Sequence, residues 1–246
     1  MWRRAQSDVF RDAVKRQLRR VPHLGSFLIK VGGKWFPGRR VIFRSSAQYW
    51  EDWYAAGGDS GPGSYNEAAR FKAAFLNEFV STNNIKSVIE WGSGDGAQLT
   101  HAQYPLYTGI DVSETIVSYC RKRFASDKTK TFFITSDIPH TDCWAELAIS
   151  LDVIYHLIED DVYESYMFNL FASASRFVVI YAWDVEIDSP PRLEHVRHRA
   201  FTSWVAEHLP QWRLINVTEG DYLNRKIENA FANFYVYELV QQPVNP

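Results

Sequence analysis

The stretch "VIEWGSGDGAQL", Val88 to Leu99, places three glycines at alternate positions directly after a short apolar run. The apolar run has the length of a buried strand, and the glycines predict a turn from that strand into a helix. Glycine lacks a Cβ, so such a turn lets backbone N–H groups and a helix N-terminus approach a ligand closely. The stretch therefore predicts a ligand-binding loop at the carboxyl end of a strand.

Strands and helices alternate on either side of this loop. Helical spacing of Phe71, Phe75 and Phe79 predicts an amphipathic helix before it, and four more strands follow it, in "YPLYTGID", "KTFFITSD", "AELAISLD" and "RFVVIYAW". The last two strands, "QWRLINVTE" and "ANFYVYELV", have only a loop between them and should pair antiparallel. The pattern predicts five βα units in a Rossmann-like, doubly wound α/β fold, whose mostly parallel seven-stranded sheet ends in an antiparallel pair.

The composition is that of a globular chain, with 246 residues of which 46% are hydrophobic. Its two cysteines, Cys120 and Cys143, have no CxxC spacing and are expected to be reduced thiols. No apolar run is long enough to span a bilayer, and the first residues lack the apolar core of a secretory signal. We therefore expect a cytoplasmic protein.

Charge divides the chain unevenly. Residues 1–44 carry 12 Lys and Arg against 2 Asp (net +10), which leaves 15 basic and 27 acidic residues for the rest (net −12). We predict a basic arm with an amphipathic helix over residues 1–45 and a catalytic domain over residues 46–246. The arm is expected to bind its own acidic domain or a partner subunit, and a peripheral contact with the inner face of the membrane is the alternative. Nucleic acid is not an expected partner, and the oligomeric state is left open.

Acidic residues near the glycines narrow the class of ligand. Glu90 lies two positions before the first glycine, Asp111 ends the second strand, and Asp137 ends the third. In this order the sequence resembles the class I, S-adenosylmethionine-dependent methyltransferases over roughly residues 65–241. The looser pattern G-x-G-x-x-A, which ends at Ala97, leaves an NAD-dependent oxidoreductase as an alternative, and a non-catalytic scaffold is another.

The resemblance implies a site for S-adenosyl-L-methionine, with S-adenosyl-L-homocysteine as the product. It assigns the two ribose hydroxyls to Asp111, the adenine amine to Asp137, and the methionine and ribose portion to the glycines. No metal is required. The implied cofactor-binding residues are Glu90, Gly92, Gly94, Gly96, Asp111, Ser136, Asp137 and Asp152.

Polar residues after the fourth and fifth strands are candidates for the acceptor side. A hydroxyl acceptor benefits from a general base, and His156, just after the fourth strand, is the first candidate for it. His195 and His198 are further candidates, and Tyr155 could line the methyl pocket. Two cations in the same segment as these histidines would suit an anionic acceptor; they are Arg197 and Arg199.

The aromatic and glycine-rich residues 46–66 are predicted to form a lid, with Tyr49 and Tyr65 contacting the substrate. This segment resembles the N-terminal stretch of bacterial methyltransferases encoded with surface-polysaccharide genes. That resemblance implies O-methylation of a small sugar, nucleotide-sugar or phosphate-containing acceptor, and N-methylation of a small molecule remains the alternative. The N/D-P-P-Y/F signature of enzymes that methylate nucleobase amines is missing after the fourth strand.

Overall fold

The computed structural model describes residues 30–31, 34–35, 41–138, 145–187, 194–220 and 232–240, and its centre is a seven-stranded sheet. The strand order across the sheet is β3-β2-β1-β4-β5-β7-β6. The strands are β1 Ser87–Trp91, β2 Leu106–Asp111, β3 Lys130–Ile134, β4 Ala145–Leu151, β5 Ala174–Ala182, β6 Trp212–Thr218 and β7 Asn233–Leu239.

Five neighbouring strands, β3 to β5 across the sheet, pair in parallel. Strand β7 inserts between β5 and β6 and runs antiparallel to both. This confirms the predicted mostly parallel sheet with its C-terminal antiparallel pair. The two antiparallel strands are neighbours, as predicted, although the later one in the chain occupies the inner position.

Helices cover both faces of the sheet, so its central strands read as continuous apolar runs. Along β1, Val88 belongs to the core beneath helices α2 (Asn66–Thr82) and α3 (Glu114–Arg123), whereas Ile89 belongs to the core beneath helices α4 (Asp160–Ala172) and α5 (Phe201–His208). The Phe75 ring stacks on Phe234 of β7 with 3.9 Å between centroids, which confirms the apolar face predicted for α2. The helices are α1 Ser46–Ala55, α2 Asn66–Thr82, α3 Glu114–Arg123, α4 Asp160–Ala172 and α5 Phe201–His208.

Two of the expected strand-to-helix connections are different in the structure. The glycine turn leads into a single 3-10 turn, Gln98–His101, and β3 leads into another, Thr135–Asp137. Few residues separate β1 from β2, and Pro105 directly before β2 disfavours helix there. The prediction of five βα units was therefore wrong for the first connection, where the glycine loop itself takes up most of the chain. After β3, the described residues 135–138 likewise contain a 3-10 turn and no α-helix.

The chain divides into two units, Met1–Arg40 and Val41–Pro246. Within the first unit, Lys30–Val31 pairs antiparallel with Lys34–Trp35. The predicted amphipathic helix of the arm lies outside the described residues, as does Cys143, while Cys120 is a buried free thiol. Among the described residues, no helix combines the length and apolar character needed to cross a bilayer.

Candidate active site

A cleft of about 740 Å³ opens at the carboxyl ends of β1, β2 and β4. This volume falls in the range of small-molecule sites, and the position follows the rule for open α/β sheets. Half of the sixteen sequence-predicted site residues line the cleft: Tyr49, Gly92, Gly94, Asp111, Asp152, Tyr155, His156 and His195. The other half lie outside its lining: Tyr65, Glu90, Gly96, Ser136, Asp137, Arg197, His198 and Arg199.

The three glycines of the loop all have positive φ angles, which side chains disfavour. Gly92 also needs its small size, because a Cβ there would lie 2.5 Å from Val153 Cγ2. Gly96 differs from the other two. A Cβ on it would meet Phe124 and Cys120 of the α3 region, so this glycine allows helix packing and does not border the cleft.

Asp111 connects the glycine loop to the start of α3. Its Oδ2 accepts the backbone N–H of Gly94 at 2.9 Å, and its Oδ1 accepts that of Ser113 at 3.0 Å. Ser113 caps α3 as predicted, because its Oγ accepts the N–H of Ile116. Burial raises the pKa of Asp111 to about 6, against the opposing effect of these backbone donors. The carboxylate lines the cleft and still has lone pairs for a ligand.

Two of the other predicted cofactor acids, Glu90 and Asp137, lie outside the cleft lining. Glu90 is buried beneath the loop, where its Oε2 accepts the Tyr107 hydroxyl at 2.6 Å and burial raises its pKa to about 7. Ser136 donates to Asp137 at 3.0 Å, and both residues are exposed. From this segment it is Thr135 that reaches the cleft lining.

Residues 46–64, which we call the roof, contribute α1 and the following loop to the cleft. The roof is bonded to two walls of the site. Glu51 accepts hydrogen bonds from Ser113 Oγ at 2.5 Å and from the backbone and hydroxyl of Thr115, at the N-terminus of α3. At the other wall, Ser46 donates from its backbone and its hydroxyl to Glu159, just before α4. A carboxylate near a helix N-terminus is favourably placed.

Asp95, in the glycine loop, bonds the roof to the third wall. Its carboxylate accepts the N–H groups of Ala97 at 2.9 Å and Ser60 at 3.3 Å, and also the Tyr65 hydroxyl. In return, the Asp95 N–H donates to Ser60 Oγ at 2.9 Å. Tyr65, predicted to contact the substrate, therefore holds the roof in place. Sequence reasoning passed over Asp95, although an acid inside a glycine turn is itself a signal.

We expect Tyr65→Phe to loosen the roof. The variant leaves a buried carboxylate one donor short, and a hydrogen bond to a charged group contributes about 1.5–3 kcal/mol. Amide hydrogen exchange over residues 59–65 should accelerate roughly tenfold, while exchange in β1 and β4 stays unchanged. Tyr119→Phe, an exposed tyrosine of α3, is the matched control. Unchanged exchange in the roof would mean that the hydroxyl does not hold it.

His156 lies on the cleft lining in a 3-10 turn that follows β4. Its Nδ1 is 3.0 Å from the carbonyl oxygen of His195. A carbonyl only accepts, so Nδ1 carries the proton and Nε2 keeps a free lone pair. Burial lowers the pKa of His156 to about 4, which keeps the ring neutral at physiological pH.

Aromatic rings surround this histidine. The Tyr49 ring stacks on His195 with 4.5 Å between centroids, and the Trp50 ring meets His156 edge to face at 4.8 Å. The Tyr155 ring lies 4.4 Å from His156. These residues of the cleft lining form what we call the aromatic wall: Tyr49, Trp50, Tyr155, His156 and His195.

The two predicted substrate cations are engaged with this protein's own acceptors. Arg197 and Arg199 both pair with Asp160 at the start of α4, at 2.7 and 2.9 Å. Their guanidinium groups also donate to the carbonyl of Ile158. His198 lies behind the cleft, with its ring 5.3 Å from that of Tyr155. The structure thus brings His156 and His195 to the cleft and leaves both arginines outside it.

No protein-family model matches the sequence, and no curated protein is significantly similar to it. Solved structures resemble it in fold. The N-methyltransferase NodS from Bradyrhizobium japonicum, in complex with S-adenosyl-L-homocysteine, is 15% identical with a TM-score of 0.61, over 80% of this chain and 100% of that one. Magnesium protoporphyrin IX methyltransferase from Synechocystis, with the same product bound, is 14% identical with a TM-score of 0.52, over 74% and 90%. The chain has the fold of S-adenosylmethionine-dependent methyltransferases.

Proposed function

We propose that this protein binds S-adenosyl-L-methionine in the cleft and transfers its methyl group to a hydroxyl oxygen of a small sugar-type acceptor. The observation that carries the hydroxyl assignment is the neutral His156, whose Nδ1–H bond to the His195 carbonyl leaves Nε2 free to accept a proton. The fold shared with known methyltransferases supports the choice of methyl donor.

The residues of the cleft fit this donor. Asp111 offers a carboxylate to vicinal hydroxyls, which are strong partners for a charged acceptor. Beside it, exposed Val112 and Thr135 give the cleft an end suited to a flat base. Gly92 and Gly94 line the cleft, and their lack of a side chain lets Val153 and Ser60 approach the loop backbone closely. We assign the ribose to Asp111 and the adenine to the Val112 end, with Ser136 and Asp137 adjacent to it.

When bound, the donor supplies a methyl group whose carbon–sulfur bond breaks as the carbon–oxygen bond forms, leaving the electron pair on a neutral sulfur. The residues of this chain position the acceptor and remove its proton, which passes to His156 Nε2. Such positioning accounts for much of the rate in a displacement of this type. The roof and the aromatic wall exclude water from the reacting oxygen.

The aromatic wall favours an uncharged sugar over a phosphate-containing one. Tyr49 and Trp50 offer apolar faces of the kind on which a sugar ring stacks, and the histidines beside them are kept neutral by burial. The sequence-based preference for an anion rested on Arg197 and Arg199, which pair with Asp160. The proposed acceptor site therefore does not include them.

Two measurements test this function. Calorimetry should detect binding of S-adenosyl-L-homocysteine and not of NAD; the reverse result would favour the oxidoreductase alternative. Radiolabelled S-adenosyl-L-methionine should then transfer its methyl group to neutral sugars in a panel that also contains sugar phosphates, nucleotide sugars and small amines. Methylation of amines alone would overturn the hydroxyl assignment.

The affinity for S-adenosyl-L-homocysteine should depend on pH through Asp111. The ribose hydroxyls need an ionised acceptor, and burial places the pKa of this carboxyl at about 6. Affinity should therefore be constant above that pH and fall up to about tenfold per unit below it. Calorimetry at pH 7.5 and 5.0 checks this expectation. Asp111→Asn should bind weakly at both values; a variant that keeps the pH dependence would assign it to another group.

A further inference from the structure

A buried ion pair joins α2 to the cleft. Lys72 is 1% exposed, and its Nζ donates to Asp152 Oδ2, at the carboxyl end of β4. The ammonium also lies 5.3 Å from the centre of the Tyr181 ring. Neither the pair nor its lysine follows from the sequence pattern, because the two residues are 80 positions apart.

Burial of this ion pair is energetically unfavourable compared with an apolar pair of the same volume. Burying two charges costs several kcal/mol of desolvation per ion, and a well-packed apolar pair is often as stable or more so. Asp152 also has a φ angle of 61°, which is a strained backbone conformation for this residue. Strain of this kind and a buried ion pair beside a ligand cleft indicate a role in function.

The two charges are not equally distant from the ligand space. Asp152 lines the cleft with a side chain 22% exposed, whereas the side chain of Lys72 is 2% exposed and lies behind it. Gly63 of the roof covers the pair, because a Cβ there would lie 2.9 Å from Asp152 Oδ2 and 3.7 Å from Lys72 Nζ. The negative end of the pair therefore faces the ligand space.

Other charged and titratable groups face this carboxylate from several elements. They are Tyr155 and His156 in the turn that follows it, Tyr181 of β5, and Glu90 of β1, which interacts with the Lys72 ammonium. Among the described residues that line the cleft, the charged ones are acids: Asp59, Asp111, Asp152 and Asp161. A positively charged ligand is favoured in such surroundings.

We propose that the Lys72–Asp152 pair sets how strongly the cleft prefers the positively charged methyl donor over its product. The donor carries a sulfonium, whereas the product has a neutral sulfur, so the two ligands differ by one positive charge and one methyl group. The Asp152 carboxylate favours binding of the donor, and the Lys72 ammonium behind it limits that preference. The ammonium thereby keeps the affinities of donor and product close enough for the two ligands to exchange. The inference rests on the proposed methyl donor and is independent of the acceptor.

Removal of the negative charge and removal of the positive charge should shift the ratio of donor affinity to product affinity in opposite directions. Asp152→Asn keeps the shape and tolerates the left-handed backbone, yet removes the charge. It should lower the ratio of donor affinity to product affinity about fivefold or more. Lys72→Met removes the opposing charge and should raise the same ratio. A purely structural role would weaken both ligands together and move the ratio in neither direction.

The experiment is calorimetric titration of the full chain at pH 8 with S-adenosyl-L-methionine, S-adenosyl-L-homocysteine and sinefungin. Sinefungin carries an amine in place of the sulfonium and should follow the donor if charge decides. The variants are Asp152→Asn, Lys72→Met and the double variant, whose ratio should lie between those of the two single variants because it lacks both charges. Lys122→Met, at an exposed position on α3, is the control for loss of a lysine.

Ratios that stay at the wild-type value, or that move in the same direction in both single variants, would overturn the proposal. Lys72→Gln replaces Lys72→Met if thermal melting shows that the latter is unfolded. In every case the proposal requires Asp152→Asn to lower the ratio of donor affinity to product affinity. Failure of the wild-type protein to bind any of the three ligands would instead overturn the proposed methyl donor.

Discussion

Replacement of His156 by alanine is expected to lower the rate constant for methyl transfer about 100-fold or more, with the affinity for S-adenosyl-L-homocysteine unchanged. General-base catalysis typically contributes this much. His156 lines the cleft, and its Nδ1–H bond to the His195 carbonyl fixes the tautomer that can accept a proton. The measurement is single-turnover transfer from labelled donor to the best sugar of the acceptor panel, beside calorimetry of the product.

His208→Ala is the matched control, because His208 lies exposed at the end of α5 and outside the cleft lining. Its transfer rate should equal that of the wild-type protein. His156→Ala with a normal rate would exclude this histidine as the base. His195, which stacks on Tyr49 in the aromatic wall, would then be the next candidate for the general base.

Replacement of Gly92 by alanine is expected to weaken binding of S-adenosyl-L-homocysteine at least tenfold. The new methyl group meets Val153 at 2.5 Å, and overpacking of this kind typically costs about 1–3 kcal/mol. Relief of that contact must displace Val153 or the loop, and both line the cleft. Calorimetry measures the loss, and the melting temperature reports the accompanying change in stability.

Gly57→Ala separates the contact from backbone strain. Gly57 has a φ angle of 84°, close to the 77° of Gly92, yet a Cβ at Gly57 would meet nothing within 4 Å. Both variants should lose stability through strain, but only Gly92→Ala should lose product affinity beyond that. Equal affinities in the two variants would show that the glycine is needed for the turn alone.

Local patterns were enough to predict the strands, the cap at Ser113 and the position of Asp111 in the cleft. Each depends on residues close together in the sequence, where periodicity and turn chemistry apply. The order of the antiparallel pair within the sheet, by contrast, depends on which strand packs on β5, and no local pattern records this.

Charged residues were harder to place, because their partners are distant in the sequence. The sequence predicts Arg197 and Arg199 to be free cations, whereas in the structure both pair with Asp160. Lys72 reads as one more polar residue of an amphipathic helix, although its ammonium is buried against Asp152. Spacing shows which residue types are present; only the fold shows which charges are already neutralised.

The carboxylate of Asp95 has two structural roles: it accepts a hydrogen bond within the glycine loop, and it accepts hydrogen bonds from Ser60 of the roof and from Tyr65, the residue that follows the roof. Thermodynamic linkage makes such an arrangement reciprocal. If a ligand in the cleft strengthens the hydrogen bonds between the loop and the roof, those bonds strengthen the binding of that ligand by the same free energy. A single substitution at position 95 is therefore expected to change both the ligand affinity of the cleft and the stability of the roof.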